Sequence, residues 1–390
     1  MDAVKRMEKK LLYIFDYQDH KSRIPLALAA QKQGYAVRLG LIATSDIPPL
    51  ELDFLRKNFS DIFKVSKPKR KFNPFGLIKT VLDMRKILRS QNPDIVHVVT
   101  LKYSFLFSFA ALFTPATTKR LYTIAGLGFL FRSEGIKPKA LQWLLAPFLK
   151  YALKHPAAHL IFQNSDDRDL LIAKSYADPA RAYLVISSGV DLQRFIAQPA
   201  PNNTPPIVLM PTRLVREKGV HIFFEAAKIL QQKGANVKFQ IAGGLTAHNP
   251  QAITAQEMQG LLKAAPYVEW LGEVFDMPAC LAAADIVVYP SYYGEGVPRV
   301  LIEACASGRP IITTDHTGCR ETVREGVNGY LVPIKNVPAV AIALERMLSD
   351  QALRSEMGRQ SRLLAEEKFA LEKINAETLA CYARILNMAE

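Results

Sequence analysis

Short runs of β-branched and aliphatic residues alternate with longer amphipathic stretches along this whole chain, and that alternation restricts the fold more than any other feature. Strands that are each followed by a helix return parallel to one another, so the pattern specifies parallel sheets built from βαβ units. In the first half the spacing predicts strands at Lys10–Phe15, Ala36–Ala43, Asp61–Val65, Ile95–Val99, Arg120–Thr123, His159–Gln163 and Ala182–Ile186. Among the intervening helices, Arg23–Gln33 is amphipathic and ends on Gly34, and Phe75–Ser90 stops before Pro93. The run QPAPNNTPP, Gln198 to Pro206, has no apolar periodicity and is expected to link two domains. Beyond it strands are expected at Ile207–Met210, Val237–Ile241, Tyr267–Leu271, Ile286–Tyr289, Pro310–Thr314 and Gly329–Val332, with helical stretches at Pro338–Ser349 and Leu353–Met388. A length of 390 residues suits two domains of similar size. The expected architecture is α/β: two Rossmann-like, doubly wound domains facing each other across a cleft, residues 1–197 and 207–370. A helix over about 371–388 is free to pack back on the first.

Apolar residues make up 49% and charged residues 22%, ordinary usage for a globular chain. The apolar run Leu11–Phe15 meets Asp16 at once, so no signal peptide is expected, and Leu101–Phe113 is too short and too interrupted to span a bilayer. Four cysteines, Cys280, Cys305, Cys319 and Cys381, form no CxxC pair, which fits a reduced, cytoplasmic protein without structural zinc. The net charge of +14 is unevenly spread: through Phe195 there are 31 Lys and Arg against 16 Asp and Glu, and afterwards 19 against 20. A basic first half suits an anionic membrane, a nucleic acid or a phosphorylated acceptor, and equally a surface that only aids solubility. Two stretches sharpen the membrane reading. KPKRKFNPFGLIK (Lys67–Lys79) and IKPKALQWLLAPFLKYALKH (Ile136–His155) interleave cations with Phe72, Phe75, Trp143, Phe148 and Tyr151. Basic heads among aromatic anchors suit peripheral attachment to an anionic leaflet; the alternative is that Trp143 and Phe148 pack into the core.

The richest motif is SYYGEGVPRVLIEACASGRPIITTD, Ser291 to Asp315. It leaves a buried strand, turns through Gly294 and Gly296, and enters a helix whose first N–H groups form an anion site where strand ends meet helix starts. Glu295 lies in the turn and Glu303 two turns into the helix, amid Val300, Leu301, Ile302 and Ala304. Two glutamates near a helix start also describe a cap and a surface charge. The apolar neighbours weigh for a buried carboxylate that needs partners, one able to accept from both hydroxyls of a ribose. The second motif, PTRLVREKGV (Pro211–Val220), sets Arg213 and Lys218 around a turn that opens a helix, which makes either a diphosphate clamp or an ordinary basic turn.

Several other chemistries are excluded. GLGFLF at Gly126–Phe131 begins like a dinucleotide fingerprint but lacks its third glycine and a following acid. Asp167–Arg168–Asp169 matches the DxD of metal-dependent transferases, yet it follows Asn164-Ser165 at a helix start, where acids favour the dipole. No GxxxxGK[ST] is present, and no nucleic-acid module accompanies the basic half.

Together these motifs resemble the retaining GT-B glycosyltransferases of family 4, whose marker is a glutamate, seven residues and a second glutamate, here Glu295 and Glu303. Similarity extends to PTRLVREKG, IAGG (Ile241–Gly244), VEWLGEV (Val268–Val274) and TGCRETVREGVNGYLV (Thr317–Val332). RIPLALAA (Arg23–Ala30), DIVHVVTLK (Asp94–Lys102), TIAGLGFLF (Thr123–Phe131) and FQNSDDRDLL (Phe162–Leu171) are similar to the bacterial surface-polysaccharide and lipid-linked oligosaccharide branch. The resemblance implies transfer of a hexose or N-acetylhexosamine from a UDP-sugar to a saccharide acceptor, held on a polyprenyl diphosphate, at the inner face of the cytoplasmic membrane. It implies no cofactor and no metal, the UDP-sugar being a co-substrate. Arg213 and Lys218 would contact the donor diphosphate; Glu295 and the backbone of Gly296, Val297 and Pro298 the donor sugar and phosphate; and Glu303 the ribose. The base would lie near Gly243 and the loop at Glu273 and Val274. The family has no settled protein nucleophile, and retention is explained by front-face attack with the donor phosphate helping to deprotonate the acceptor. Many relatives carry a histidine in the loop after the fifth strand. Here that position is Ala125, and His97 is the candidate to take over the sugar contact, unless it is a satisfied core residue. Ser22 precedes Arg23 where close relatives carry a histidine, so Arg23, His20 and Lys102 are the candidate acceptor contacts. An epimerase or hydrolase on the same scaffold, or a non-catalytic sugar-nucleotide-binding protein, is the alternative.

Overall fold

A computed structural model describes residues 8–68, 73–112, 118–128, 131, 136–201, 203–246, 249 and 251–387. Parts of the stretches singled out above (69–72, 113, 129–130, 202 and 388) lie outside the described residues. The chain forms two compact units, Met1–Ser188 with Glu372–Glu390, and Gly189–Leu371.

The first unit is built on seven parallel strands: β1 (Lys9–Asp16), β2 (Tyr35–Ala43), β3 (Ile62–Ser66), β4 (Ile95–Val99), β5 (Lys119–Ile124), β6 (Ala158–Phe162) and β7 (Ala182–Leu184). Their order is β3-β2-β1-β4-β5-β6-β7. Consecutive side chains on a strand face opposite ways. Leu12 and Ile14 therefore join one core layer, with Met84, Leu88 and Phe107 from the helices Pro74–Gln91 and Leu101–Ala110. Leu11, Tyr13 and Phe15 join the other, with Ile24 and Ala27 of the helix His20–Lys32. That second layer is completed by Ile374, Leu379, Tyr382 and Ile385 of the last helix, Leu371–Asn387. Burying each such aliphatic side chain contributes roughly 1.5–3 kcal/mol, enough to hold this helix on the first unit.

The second unit carries six parallel strands: β8 (Ile207–Pro211), β9 (Lys238–Ala242), β10 (Val268–Trp270), β11 (Ile286–Tyr289), β12 (Ile311–Thr314) and β13 (Gly329–Val332). They are ordered β10-β9-β8-β11-β12-β13. In both sheets the order reverses beside the first strand, between β1 and β4 and between β8 and β11, which opens a crevice at the strand ends.

One expectation needs correction. The run Gln198–Pro206 is not a free linker, because its polar groups are bonded into the second unit. Arg309, fully buried, donates to the carbonyls of Gln198 (2.5 Å), Ser307 (3.0 Å) and Ala284 (3.2 Å). Asn203 donates to the Ala283 carbonyl and to Asp285. The prolines remove periodicity from the sequence without releasing the chain. The crossing lies upstream, at Ser187 and Gly189, both with φ near +77° (76° and 78°). The stretch from Leu353 is helical with a break, as far as Asn387, and its last part is the helix expected over about 371–388. A widened turn at Ala365–Phe369 ends the helix Gln351–Leu364, and the chain then extends through Ala370. There Val190 N–H donates to the Phe369 carbonyl and Leu371 N–H to the Val190 carbonyl, tying the two crossings together.

Replacing Arg309 strips three or more buried carbonyls of their donor. Arg309→Met is therefore expected to cost about 3 kcal/mol in a denaturant titration, with residues 198–206 becoming the first site of limited proteolysis. An unshifted midpoint would remove Arg309 from this role.

Candidate functional site

The crevice at the β8/β11 reversal holds a cavity of about 330 Å³. Thr212 and Arg213 reach it from the end of β8, Lys218 from the short turn Arg216–Lys218, and Gly243 from the end of β9. Glu273 and Val274 enter from the loop after β10 and Tyr289 from the end of β11. Glu295, Pro298, Arg299 and Glu303 come from the turn and helix that follow. The structure thus gathers Arg213, Lys218, Gly243, Val274, Glu295, Pro298 and Glu303 around one space; Gly296 and Val297 sit in the intervening turn, outside the lining.

Among the described residues, charge in the cavity is arranged in two ion pairs, with Arg213 and Glu273 outside them. Lys218, 6% exposed, donates to Glu295 Oε1 at 2.5 Å, and Tyr289 Oη donates to the same oxygen at 3.1 Å. The Lys218 ammonium lies 5.5 and 5.4 Å from the ring centroids of Tyr289 and Tyr293. Glu303 accepts from Arg299 Nε at 2.8 Å. Burial raises the Glu303 carboxyl above the ordinary carboxylate range, with Arg299 opposing the rise. Arg213 is exposed, and among the described residues no carboxylate pairs with it. No side chain caps the helix Arg299–Ala306, whose first residue follows Pro298, so the positive end of its dipole faces the cavity lining. Two cations, an uncapped helix start and a half-buried carboxylate together suit a diphosphate joined to a polyhydroxylated group.

Backbone geometry fixes the Lys218 turn. Gly219 has φ +84°, and a Cβ there would lie 2.2 Å from the Pro290 carbonyl oxygen. Tyr292 N–H and Ser291 Oγ–H both donate to the Glu217 carbonyl, closing the turn onto the loop that carries Glu295. At the base of the cavity Gly243 N–H donates to the Gly272 carbonyl, and the Gly243 carbonyl accepts from Trp270 Nε1.

The first unit corrects the expectation for His97. Its ring is 1% exposed, stacked on Tyr13, with Nδ1 bonded to Tyr382 Oη and Nε2 to Thr123 Oγ1, each at 2.7 Å. Both nitrogens are taken, and burial pushes its pKa down to about 3, so it is a neutral core residue with no nitrogen left for a sugar. Arg23 joins His97, Tyr13, Gln163 and Thr378 around a small polar cavity of about 20 Å³. His20 and Lys102 do not line it. The His20 ring stacks on Tyr17, with Nδ1 bonded to the Tyr17 carbonyl, and Lys102 lies over the Tyr103 ring. Asp167 of the DxD run is buried as a cap partner: its N–H donates to Asn164 Oδ1, and its carboxylate accepts from Asn164 Nδ2.

Tyr289 and Arg299 line the cavity but do not stand out in the sequence. Arg299 is four residues before Glu303, the helical pairing distance, and that spacing is its signal. Tyr289 is the one hydroxyl in the strand IVVY.

Comparison with solved structures gives the fold. Sucrose-phosphate synthase from Thermosynechococcus elongatus superposes with a TM-score of 0.79 at 19% identity, over 97% of this chain and all of that one (100%). Anabaena HepE, solved with UDP and glucose, gives 0.74 at 19% identity, over 95% and 99%. The fold is that of the GT-B glycosyltransferases. Residues 192–364 match the family described as glycosyl transferases group 1, and residues 10–165 the one described as glycosyl transferase 4-like. A capsular polysaccharide biosynthesis glycosyltransferase, CapM of Staphylococcus aureus, is 26% identical over 90% of this chain and 97% of its own length. The Campylobacter jejuni N,N'-diacetylbacillosaminyl-diphospho-undecaprenol alpha-1,3-N-acetylgalactosaminyltransferase is 26% identical over 74% and 77%. The chain belongs to this glycosyltransferase family, group 1 in its second unit and 4-like in its first.

Gly219→Ala is expected to lower stability by roughly 2–4 kcal/mol, since a backbone clash adds to an unfavourable φ. Gly234→Ala, at φ +75° with nothing within 4 Å, carries only the φ term. Equal denaturation midpoints for the two variants would show that the Pro290 contact is not limiting.

Proposed function

We propose that this enzyme transfers a hexose or N-acetylhexosamine, with retention, from a UDP-sugar to a saccharide carried on a polyprenyl diphosphate, in the synthesis of cell-surface glycan. One observation carries the reading: a single cavity at the β8/β11 reversal gathers Arg213, Lys218, Glu295 and Glu303. Arg213 and Lys218 take the diphosphate, with the start of the helix Arg299–Ala306 as a third source of positive charge. Glu303 accepts from the ribose hydroxyls, and Glu295 from the hydroxyls of the sugar. The base lies on Gly243 beside Val274, and the backbone at Gly296 and Val297 borders the sugar and phosphate. In front-face transfer the acceptor oxygen bonds to the anomeric carbon as that carbon's bond to the diphosphate breaks, and the acceptor proton passes to the departing phosphate oxygen. Charge developing on the leaving group is met by Arg213 and Lys218, so the step calls for neither a metal nor a protein nucleophile. The acceptor is assigned to residues 1–188, where Arg23 remains a candidate contact. The relatives named for diphospho-undecaprenol acceptors and the neighbour solved with UDP support the reading.

We also propose that the first unit attaches to an anionic membrane. No helix of the described residues is long and apolar enough to cross one. The helix Pro74–Gln91 exposes Phe75, Ile78 and Leu82 on one stripe, and the helix Ile136–Lys154 exposes Trp143, Leu144, Phe148 and Tyr151 on another. Lys79, Lys86, Arg89, Lys150 and Lys154 stand exposed on the same two helices. Trp143 is 80% exposed and so is not a core residue, and the charge beside it complements an anionic lipid.

UDP is expected to raise the melting temperature without added metal, and Arg213→Ala and Glu303→Ala each to abolish most of that shift. No stabilisation by UDP, or stabilisation undiminished in both variants, would refute the donor assignment. In vesicle flotation the chain is expected to partition onto phosphatidylglycerol-containing vesicles but not onto neutral ones. Lys79→Ala with Lys86→Ala should weaken that binding roughly tenfold or more. Equal binding to neutral vesicles, or none to either, counts against attachment.

A further inference from the structure

We propose that Tyr289 is a positioning residue of the donor site, whose hydroxyl keeps the Glu295 carboxylate on the sugar once an incoming diphosphate draws Lys218 away. The inference rests on the donor assignment above.

Among the described residues Glu295 has two donors, and both act on Oε1: Lys218 Nζ at 2.5 Å and Tyr289 Oη at 3.1 Å. Oε2 therefore keeps its lone pairs for hydroxyls. The two donors differ in what competes for them. Lys218 ends a flexible stem on the turn Arg216–Lys218, in the same cavity as the exposed Arg213. A diphosphate entering beside Arg213 carries more negative charge than one carboxylate and competes directly for the ammonium. Tyr289 cannot follow. It is the last residue of β11, its side chain is 3% exposed, and its carbonyl accepts from Thr313 Oγ1 at 2.7 Å, which anchors it to the neighbouring strand. Burial and the adjoining carboxylate raise the Tyr289 phenol well above its ordinary pKa, so it remains a donor throughout the working pH range.

The ammonium is the mobile partner of Glu295 and the phenol the fixed one. When Lys218 turns to the phosphate, a carboxylate 21% exposed and stripped of its counter-charge would swing to any other donor. The phenol hydrogen bond keeps its direction, and a phenylalanine would fill the same space without doing so. The aromatic ring has a separate task as one wall beside the Lys218 ammonium, and Tyr289→Phe leaves that wall in place.

The test is Tyr289→Phe in the full chain. Affinity for UDP, measured by calorimetry, is expected to stay within about twofold of the parent. Release of UDP from the preferred of UDP-glucose, UDP-galactose, UDP-N-acetylglucosamine and UDP-N-acetylgalactosamine should fall about tenfold, the loss of one oriented hydrogen bond to a charged group. In a Glu295→Ala background the same substitution should add no further loss, which separates action through Glu295 from a general packing effect. Unchanged release overturns the proposal. So does a loss of UDP affinity in step with release, or a full penalty in the Glu295→Ala background. A parent chain that neither binds UDP nor releases it from any of the four sugars refutes the donor assignment itself, and this inference with it.

Discussion

Between β8 and β11 the strand order reverses, and right-handed crossovers then send the following helices to opposite faces of the sheet. The loops at those two strand ends must separate, and the gap between them is the cavity. Its walls are consequently supplied by the parts of the sequence least able to wander: the residue just past a strand, the first turn of a helix, a turn pinned by Gly219 against the Pro290 carbonyl. Lys218 and Glu295 are 77 residues apart in sequence, and the reversal is what brings their strands side by side. The buried ion pair they form could not persist in a looser setting, because an ammonium and a carboxylate leave water at a cost that only close, well-directed contact offsets.

Net charge is a poor guide to where an anion binds in this molecule. The second half of the sequence is close to neutral, 19 cations against 20 acids, yet it holds the cavity suited to a diphosphate. Arg213, Lys218 and a helix dipole supply positive charge there, while Glu303 is paired with Arg299. The surplus of the first half is distributed instead over exposed helix faces, where each charge is weak alone and useful only in number.

Much of this was legible beforehand. Each expected strand exists, within a residue or two at its ends, because strands of a parallel sheet covered on both faces must be continuous apolar runs. The cavity residues were legible because their spacing obeys the same strand–turn–helix logic that builds the sheet. His97 was not: a histidine inside a strand looks the same in sequence whether its nitrogens are free or taken, and the group that takes Nδ1, Tyr382, is 285 residues away. The boundary was misplaced for a related reason. Proline and asparagine mark a segment without periodicity, but only coordinates reveal that Arg309 and Asp285 hold it down. Tyr289 escaped notice because its ring satisfies the strand pattern and its hydroxyl carries the chemistry.

The last helix adds a consequence in time rather than in space. Ile374, Leu379, Tyr382 and Ile385 complete a core layer whose other members include Leu11, Tyr13 and Phe15, which leave the ribosome before any part of the second unit. The first unit therefore waits, with one face of its sheet only partly covered, while the whole of Gly189–Leu371 is translated. The second unit is contiguous, and every segment of its core lies within Gly189–Leu371. On a nascent chain the second unit can thus be complete before the first, the reverse of the head-to-tail order in which simple tandem domains are completed.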